Sequence, residues 1–177
     1  MDYICKIPSP LGVLTISGDG TSLTGLYLER ERYPRTLSGE EIRPQDLPLF
    51  FMTWQWLERY FSGADPKNEL PLAPQGSPFR QSVWRILREI PYGTLTTYGE
   101  IAGQLARQSA KNRMAAQAVG GAVGHNPISI IIPCHRVVGS NGSLTGYGGG
   151  IQKKIQLLQL EKVDMENLFV PTKGTAL

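Results

Sequence analysis

The chain is poor in the residues that staple small folds together. Only two cysteines, Cys5 and Cys134, occur in 177 residues, and they lie far apart. The two histidines, His125 and His135, add no CxxC or HxxxH spacing. A disulfide framework is therefore not expected, nor a structural zinc site, and no stretch calls for a cofactor. No apolar run approaches the ~20 residues of a membrane span. The first residues, Met-Asp-Tyr-Ile-Cys-Lys, lack the layout of a signal peptide, so a reduced, cytoplasmic compartment is the expectation. Charge is sparse too, at 19% of residues with a formal net charge of +3. Such a balance permits nucleic-acid binding without demanding it; a clustered basic patch would be the stronger sign.

What is present describes a globular protein with a real core, since 41% of residues are hydrophobic. Twenty glycines and thirteen prolines point to many tight connections. The length suits one ordinary domain or two small ones. No internal repeat is apparent.

Residues 1–33 read as β structure. Apolar runs at Tyr3–Ile7, Gly12–Ser17 and Leu23–Leu28 are separated by the turn clusters Ser9-Pro10-Leu11-Gly12 and Gly18-Asp19-Gly20. Residues 34–46 read as a loop. From Leu47 to Phe61, the spacing of Phe50, Trp54, Leu57 and Phe61 predicts a helix with its aromatics in the core. The Pro-rich stretch 64–77 reads as a linker. Ser77 as N-cap and Pro78 at the first helical position then open a helix through Glu89, with Phe79, Val83, Leu87 and Ile90 inward and Trp84 beside them.

A short extended piece at 94–97 follows, then two helices in close order. Thr97 caps the first, Tyr98–Arg107, and Ser109 caps the second, Lys111–Val123. Two short helices joined by a tight turn form a helix-turn-helix pattern, whose second helix can enter a DNA groove. Lys111 and Arg113 at its start suit phosphates. The same pattern also arises from plain core packing.

The chain then reaches Ile-Ser-Ile-Ile-Ile-Pro-Cys-His-Arg-Val-Val, residues 128–138. Its β-branched first half predicts a buried strand, and Pro133 removes a backbone donor and ends it. Cys134 is thereby expected at the end of a rigid strand, followed by a proton acceptor and a fixed cation. The thiolate is the nucleophilic form of cysteine, and a free thiol titrates near ~8.5, so such neighbours matter. Two readings stay open on these residues. A lone cysteine among apolar residues is commonly a buried small hydrophobe. Adjacent strand residues also point to opposite faces, so Cys134-His135 adjacency makes no dyad by itself.

Residues 139–150, a glycine-rich loop with Tyr147, lack the Lys-Ser/Thr of a phosphate loop and read as a flexible pocket wall. Gln152–Lys162 reads as a last helix with Ile151, Ile155 and Leu158 inward, Glu161 near its end and a frayed tail after it.

Pro-Cys-His-Arg-Val resembles the active-site motif of the O6-alkylguanine-DNA alkyltransferases, also called methylated-DNA–protein-cysteine methyltransferases. The likeness spans essentially the whole chain, from the Ser-Pro-Leu-Gly hairpin onward, and is dense from Pro78 to Glu161. It implies an α+β fold in two parts. Residues 1–77 would form a ribonuclease-H-like antiparallel sheet with a helix and the linker. Residues 78–177 would form a mainly helical, DNA-binding and alkyl-accepting domain with the helix-turn-helix. It further implies a monomer that acts on double-stranded DNA carrying O6-alkylguanine, with O4 of thymine as a second target. Some members of that family carry zinc in the N-terminal part, for which this chain lacks the soft ligands, and no membrane or cofactor is expected. The alkyl group would move irreversibly to Cys134, once per molecule.

By the same resemblance His135 is the base that removes the thiol proton through a water, and Glu161 orients it. Asn126 is a hinge, and Tyr98 meets N3 of the departing guanine. Tyr147 borders the flipped base. The carbonyls of Cys134 and Val137 accept from its amino group, and the Gly148 amide donates to O6, where relatives carry serine. Arg136 joins this substrate-binding set. DNA would be met by Thr97, Lys111, Arg113, Gln117 and Ala118. Gln117 occupies the place of an arginine that holds open the gap left by a flipped base. Three other readings compete: an alkyltransferase-like lesion binder, which would lack Cys134; a Cys-His hydrolase, which would turn over; and a helix-turn-helix regulator.

Overall fold

The computed structural model describes residues 1–31, 37–110 and 114–172, which fall into two compact units. The first comprises Met1–Gln75 with Pro127–Ser129, and the second Gly76–Asn126 with Ile130 onward.

In the first unit, β1 (Tyr3–Ser9), β2 (Gly12–Gly18) and β3 (Leu23–Tyr27) make the expected antiparallel meander. Gly12, at φ +96°, closes the first hairpin, a conformation glycine adopts without steric cost. A fourth strand, β4 (Glu40–Glu41), lies within the stretch read as a loop and runs parallel to β1, giving the order β3-β2-β1-β4. Two charged residues carry no apolar alternation, so nothing in the pattern marked it. Helix α1 (Pro48–Phe61) buries Leu49, Phe50, Thr53, Leu57 and Tyr60. Trp54 and Phe61 are only half-buried.

The outer edge of β3 is covered by two segments. Leu23 exchanges backbone hydrogen bonds with Pro71 and Ala73 of the Pro-rich stretch, each 2.8 Å. Leu26 does the same with Pro127 and Ser129, at 2.9 and 3.0 Å. Both additions satisfy an edge that would otherwise present bare N–H and C=O groups. The Glu31 carboxylate accepts from the Leu28 amide (2.8 Å) and the Ser129 hydroxyl (3.1 Å), pinning the second segment.

In the second unit, α2 (Pro78–Arg88) starts as the sequence indicates, with the Ser77 hydroxyl accepting from the Arg80 amide. It buries Val83, Trp84, Ile86 and Leu87, while Phe79 stays half-exposed. The Trp84 indole donates to the Ala122 carbonyl at 2.9 Å and so binds α2 to α4 (Ala116–Gly124). The short strand β5 (Thr96–Thr97) leads into α3 (Tyr98–Gln108), where Thr97 and Glu100 form a reciprocal capping box. Ser109 does not cap the second helix. Its hydroxyl donates back to Leu105 as α3 ends, and α4 begins only at Ala116. Lys111 and Arg113 lie outside the described residues.

The expected strand through 128–132 is not formed. Only Ile128 pairs, with Leu26, and the chain then reverses through Ile130, whose φ is +70°. Ile128, Ile130 and Ile132 of the β-branched run are buried, but the run serves as a packed turn, which composition alone does not separate from a strand. Cys134–Arg136 form a single 3-10 turn, after which β6 (Val137–Val138) pairs in parallel with β5. Helix α5 (Ile151–Leu160) follows. The tail after it is not frayed up to Phe169. Val163, Met165 and Leu168 pack on Val138, Leu144 and Leu158, and Phe169 pairs with the 142–144 segment. Among the described residues, no helix is long and apolar enough to cross a membrane.

Candidate active site

Cys134 owes its position to one carbonyl. Pro133, at φ −81° and ψ +64°, is the centre of an inverse γ-turn in which the Cys134 amide donates to Ile132 O at 2.8 Å. The same oxygen accepts from the Asn126 side-chain amide, also at 2.8 Å. Asn126 thereby closes the loop 127–132 at its base, which is how a hinge residue would act. Proline suits this turn because its ring already fixes φ near the required value. On the other side the Val137 amide donates to Cys134 O. Cys134 is buried, 6% exposed as a whole residue, and held on both flanks.

Next to it, three ionisable side chains share one buried site. His135 is fully buried, and its Nε2 lies 2.6 Å from Glu161 Oε2. The Arg136 guanidinium bonds the other carboxylate oxygen through Nε at 2.7 Å and through Nη2. Its Nη1 donates to Ile90 O at 2.7 Å, and the guanidinium lies 5.7 Å over the Tyr92 ring. The hydrogen-bonding fork of Arg136, a residue expected in the substrate-binding set, faces Glu161 and Ile90 O. Burial pushes the Glu161 carboxyl up, but the bonds and charges of His135 and Arg136 outweigh it and hold it below the usual carboxylate range. Burial pushes His135 down, against the opposing pull of Glu161. The resting state is thus a neutral imidazole donating Nε2–H to a carboxylate already balanced by arginine, with Nδ1 as its basic nitrogen.

The pairing of β5 with β6 sets Thr97 beside Val138, so Tyr98 begins its helix next to the turn that carries Cys134. The Tyr98 hydroxyl donates to Thr145 O at 2.8 Å. Burial, and then the charge of Cys134, raise its pKa well above that of free tyrosine, so it keeps its proton. A Cβ at Gly146 would fall 2.4 Å from that hydroxyl oxygen, and φ there is +83°, which explains the glycine. Tyr147 is buried in the same loop. A Cβ at Gly148 would meet only ordinary contact with Gly124 O at 3.6 Å, so the serine of relatives is not sterically barred here. Val137 O already accepts from Lys154 Nζ at 2.5 Å, leaving one lone pair for another donor. Gln117 and Ala118 are exposed in the first turn of α4, and Thr97 is half-buried at the start of α3. Among the described residues, no group of three or more His, Cys, Asp or Glu side chains could hold a metal ion.

Sequence reasoning missed Lys154. Its place between Ile151 and Leu158 on the inward stripe of α5 was a usable signal, since a charge on an apolar face calls for a partner.

Residues 78–163 match the DNA-binding domain of 6-O-methylguanine DNA methyltransferase, and residues 3–74 match the ribonuclease-like domain of that protein. A methylated-DNA–protein-cysteine methyltransferase of Haemophilus influenzae is 46% identical over 162 residues, covering 91% of this chain and 87% of the relative. One from Mycobacterium tuberculosis is 44% identical, covering 92% and 93%. The chain belongs to this family. A crystal structure of the M. tuberculosis methyltransferase in complex with DNA superposes with a TM-score of 0.78 at 42% identity, over 90% of this chain and 92% of that one. The α+β architecture and the family read from Pro-Cys-His-Arg-Val are both borne out.

In this methyltransferase, removing the Glu161 charge leaves Arg136 buried without its anion. Glu161→Gln is expected to lower unfolding stability in a urea titration by about 3–5 kcal/mol. A loss below about 1 kcal/mol would mean that the cluster does not depend on the carboxylate charge.

Proposed function

We propose that this chain repairs DNA by taking the methyl group from O6 of guanine onto Cys134, once per molecule. The observation that carries this reading is Cys134 held on a proline-centred turn directly before a buried His135–Glu161 pair, in a chain of this family. His135 Nδ1, acting through a water, accepts the thiol proton while Glu161 stabilises the imidazolium. The thiolate attacks the methyl carbon. The S–C bond forms as the C–O6 bond breaks, and the electron pair leaves with guanine.

Tyr98 then serves the leaving base. Its hydroxyl exchanges Thr145 O for N3 of guanine and donates a hydrogen bond that stabilises the negative charge developing on the departing base. Tyr147 borders the base, the free lone pair of Val137 O and the carbonyl of Cys134 accept from its amino group, and the Gly148 amide donates to O6.

The methyl carbon is hidden in a duplex, so the nucleotide must be rotated out. Helix α4 enters the minor groove, whose degenerate edge suits a lesion without sequence context. Gln117 and Ala118 face the vacated stack, with Thr97 on the backbone. Lys111 and Arg113 are assigned to phosphates on sequence alone. The division of labour follows the two units, with binding and chemistry in the second. The protein works as a monomer in the cytoplasm, and O4-methylthymine is a secondary substrate. A Cys-His hydrolase would share the dyad but would turn over, and a lesion binder would not keep the cysteine.

With duplex DNA carrying labelled O6-methylguanine, one label per protein is expected, mapping to Cys134 by mass. Cys134→Ala abolishes transfer and keeps DNA binding, and Cys5→Ala still accepts one label. Continued turnover would contradict the reading and favour the hydrolase. Gln117→Arg is expected to raise the duplex rate several-fold while leaving free O6-methylguanine unaffected, because flipping costs a few kcal/mol and the free base skips it. Equal changes on both substrates would remove position 117 from the flipping step.

A further inference from the structure

The segment that leads to Cys134 is anchored at both of its ends. The chain leaves the second unit after Asn126, adds Pro127–Ser129 to the sheet of the first, and returns at Ile130. On the sheet, the Leu26 amide donates to Pro127 O and Leu26 O accepts from the Ser129 amide, at 2.9 and 3.0 Å. The hydroxyl of Ser129, a buried residue, donates to Glu31 Oε1 at 3.1 Å. That same oxygen accepts from the Leu28 amide at 2.8 Å, which ties the carboxylate to the end of β3. On the return, Ile132 O accepts from both the Asn126 side chain and the Cys134 amide. Between the two anchors stands Ile130, buried and at φ +70°. A β-branched residue in the left-handed region is a costly outlier, and it persists only where its surroundings over-determine it. An isoleucine side chain has no polar atom with which to favour that conformation by itself, so the anchors on its two sides must hold it.

We propose that Glu31 is a positioning residue for Cys134: by fixing Ser129 to the end of β3, it holds Ile130 in the left-handed conformation from which the Cys134 turn is built. The inference rests on the methyl-transfer reading for its purpose, though its first readout needs no alkyl group. The backbone pairing with Leu26 is a short addition at a sheet edge, and pairings of that kind open locally at little cost. Glu31 adds a third bond, from the side chain of the residue that immediately precedes Ile130. When Ser129 leaves Leu26, Ile130 relaxes to negative φ and Ile132 O moves with it. The two donors on that oxygen, Asn126 and the Cys134 amide, are then displaced together. A displacement of that kind slows a transfer whose reacting atoms must be aligned before attack. The role is geometric. Glu31 supplies one oxygen that accepts two hydrogen bonds, and the amide oxygen of a glutamine has the same capacity.

The test compares the native chain with Ser129→Ala, Glu31→Ala, Glu31→Gln and the Ser129→Ala/Glu31→Ala double variant. Amide hydrogen exchange is read at Cys134 and along α5, and the single-turnover rate of methyl transfer is measured with free O6-methylguanine. Exchange at the Cys134 amide is expected to quicken about fivefold in either alanine variant, the shift that loss of one net hydrogen bond produces. The transfer rate falls by a similar factor, while the α5 amides keep their native exchange. Glu31→Gln is expected to behave as the native chain in both measurements, because the accepting oxygen is kept. In the double variant, Ser129→Ala adds nothing to Glu31→Ala, since both remove the same bond. Unchanged exchange at Cys134 in folded alanine variants would overturn the proposal. Equal acceleration along α5 would overturn it as well, because that marks a loss of global stability. Additive effects of the two alanine substitutions would do the same. Glu31→Ala also loses the Leu28 bond, so if it does not fold, Ser129→Ala decides alone against the α5 reference. Exchange needs no alkylated substrate, so a native chain that takes no methyl would count against the methyl-transfer reading alone.

Discussion

The site depends on one carboxylate that serves two cations of different kinds. Glu161 cannot remain ionised inside the protein without partners, and it has a permanent one in Arg136 and a conditional one in His135. The first makes the buried charge tolerable at rest. The second can become positive only by accepting a proton. In the proposed mechanism the Cys134 thiol supplies that proton, so a positive and a negative charge arise together. The local balance is therefore kept throughout activation. The same carboxylate also joins three parts of the second unit, since Arg136 reaches Ile90 O at the end of α2 while Glu161 closes α5.

Backbone geometry does the rest of the positioning. Ile132 O accepts from both Asn126 and Cys134, which fixes the start of the nucleophile's turn. Two residue pairs of parallel strand, Thr96 with Val137 and Thr97 with Val138, bring the beginning of α3 to the same place. Tyr98, Cys134 and the Val137 carbonyl are thus set by main-chain hydrogen bonds together with the buried side chains of Asn126 and Lys154. Such rigidity suits a reaction performed once, because the groups must be arranged before the substrate arrives.

Much of this was legible in the sequence where local chemistry acts alone. Ser77-Pro78 and Thr97 marked helix starts because caps are local, and the aromatic spacing of 47–61 marked α1. The motif around Cys134 carried the family. Features set by distant partners were not legible. The run 128–132 is as apolar as a strand, yet it turns because Leu26 holds one end and Asn126 the other. Arg136 looked like a cation for substrate because nothing local revealed that Glu161, 25 residues away, would engage it. Ser109 had the chemistry of a cap but faces back into α3, and β4 is too short and too polar to show a pattern.

In the proposed mechanism a neutral, buried His135 relays the proton from Cys134. The decisive measurement is the single-turnover rate of transfer from free O6-methylguanine between pH 5 and 9, which leaves DNA binding and base flipping out. Burial holds His135 below its usual range. The rate should therefore stay level through neutral pH and fall only below the ~6.5 of an ordinary histidine. A rate that instead climbs steadily toward the ~8.5 of a free thiol would contradict the relay and leave Cys134 to ionise unaided.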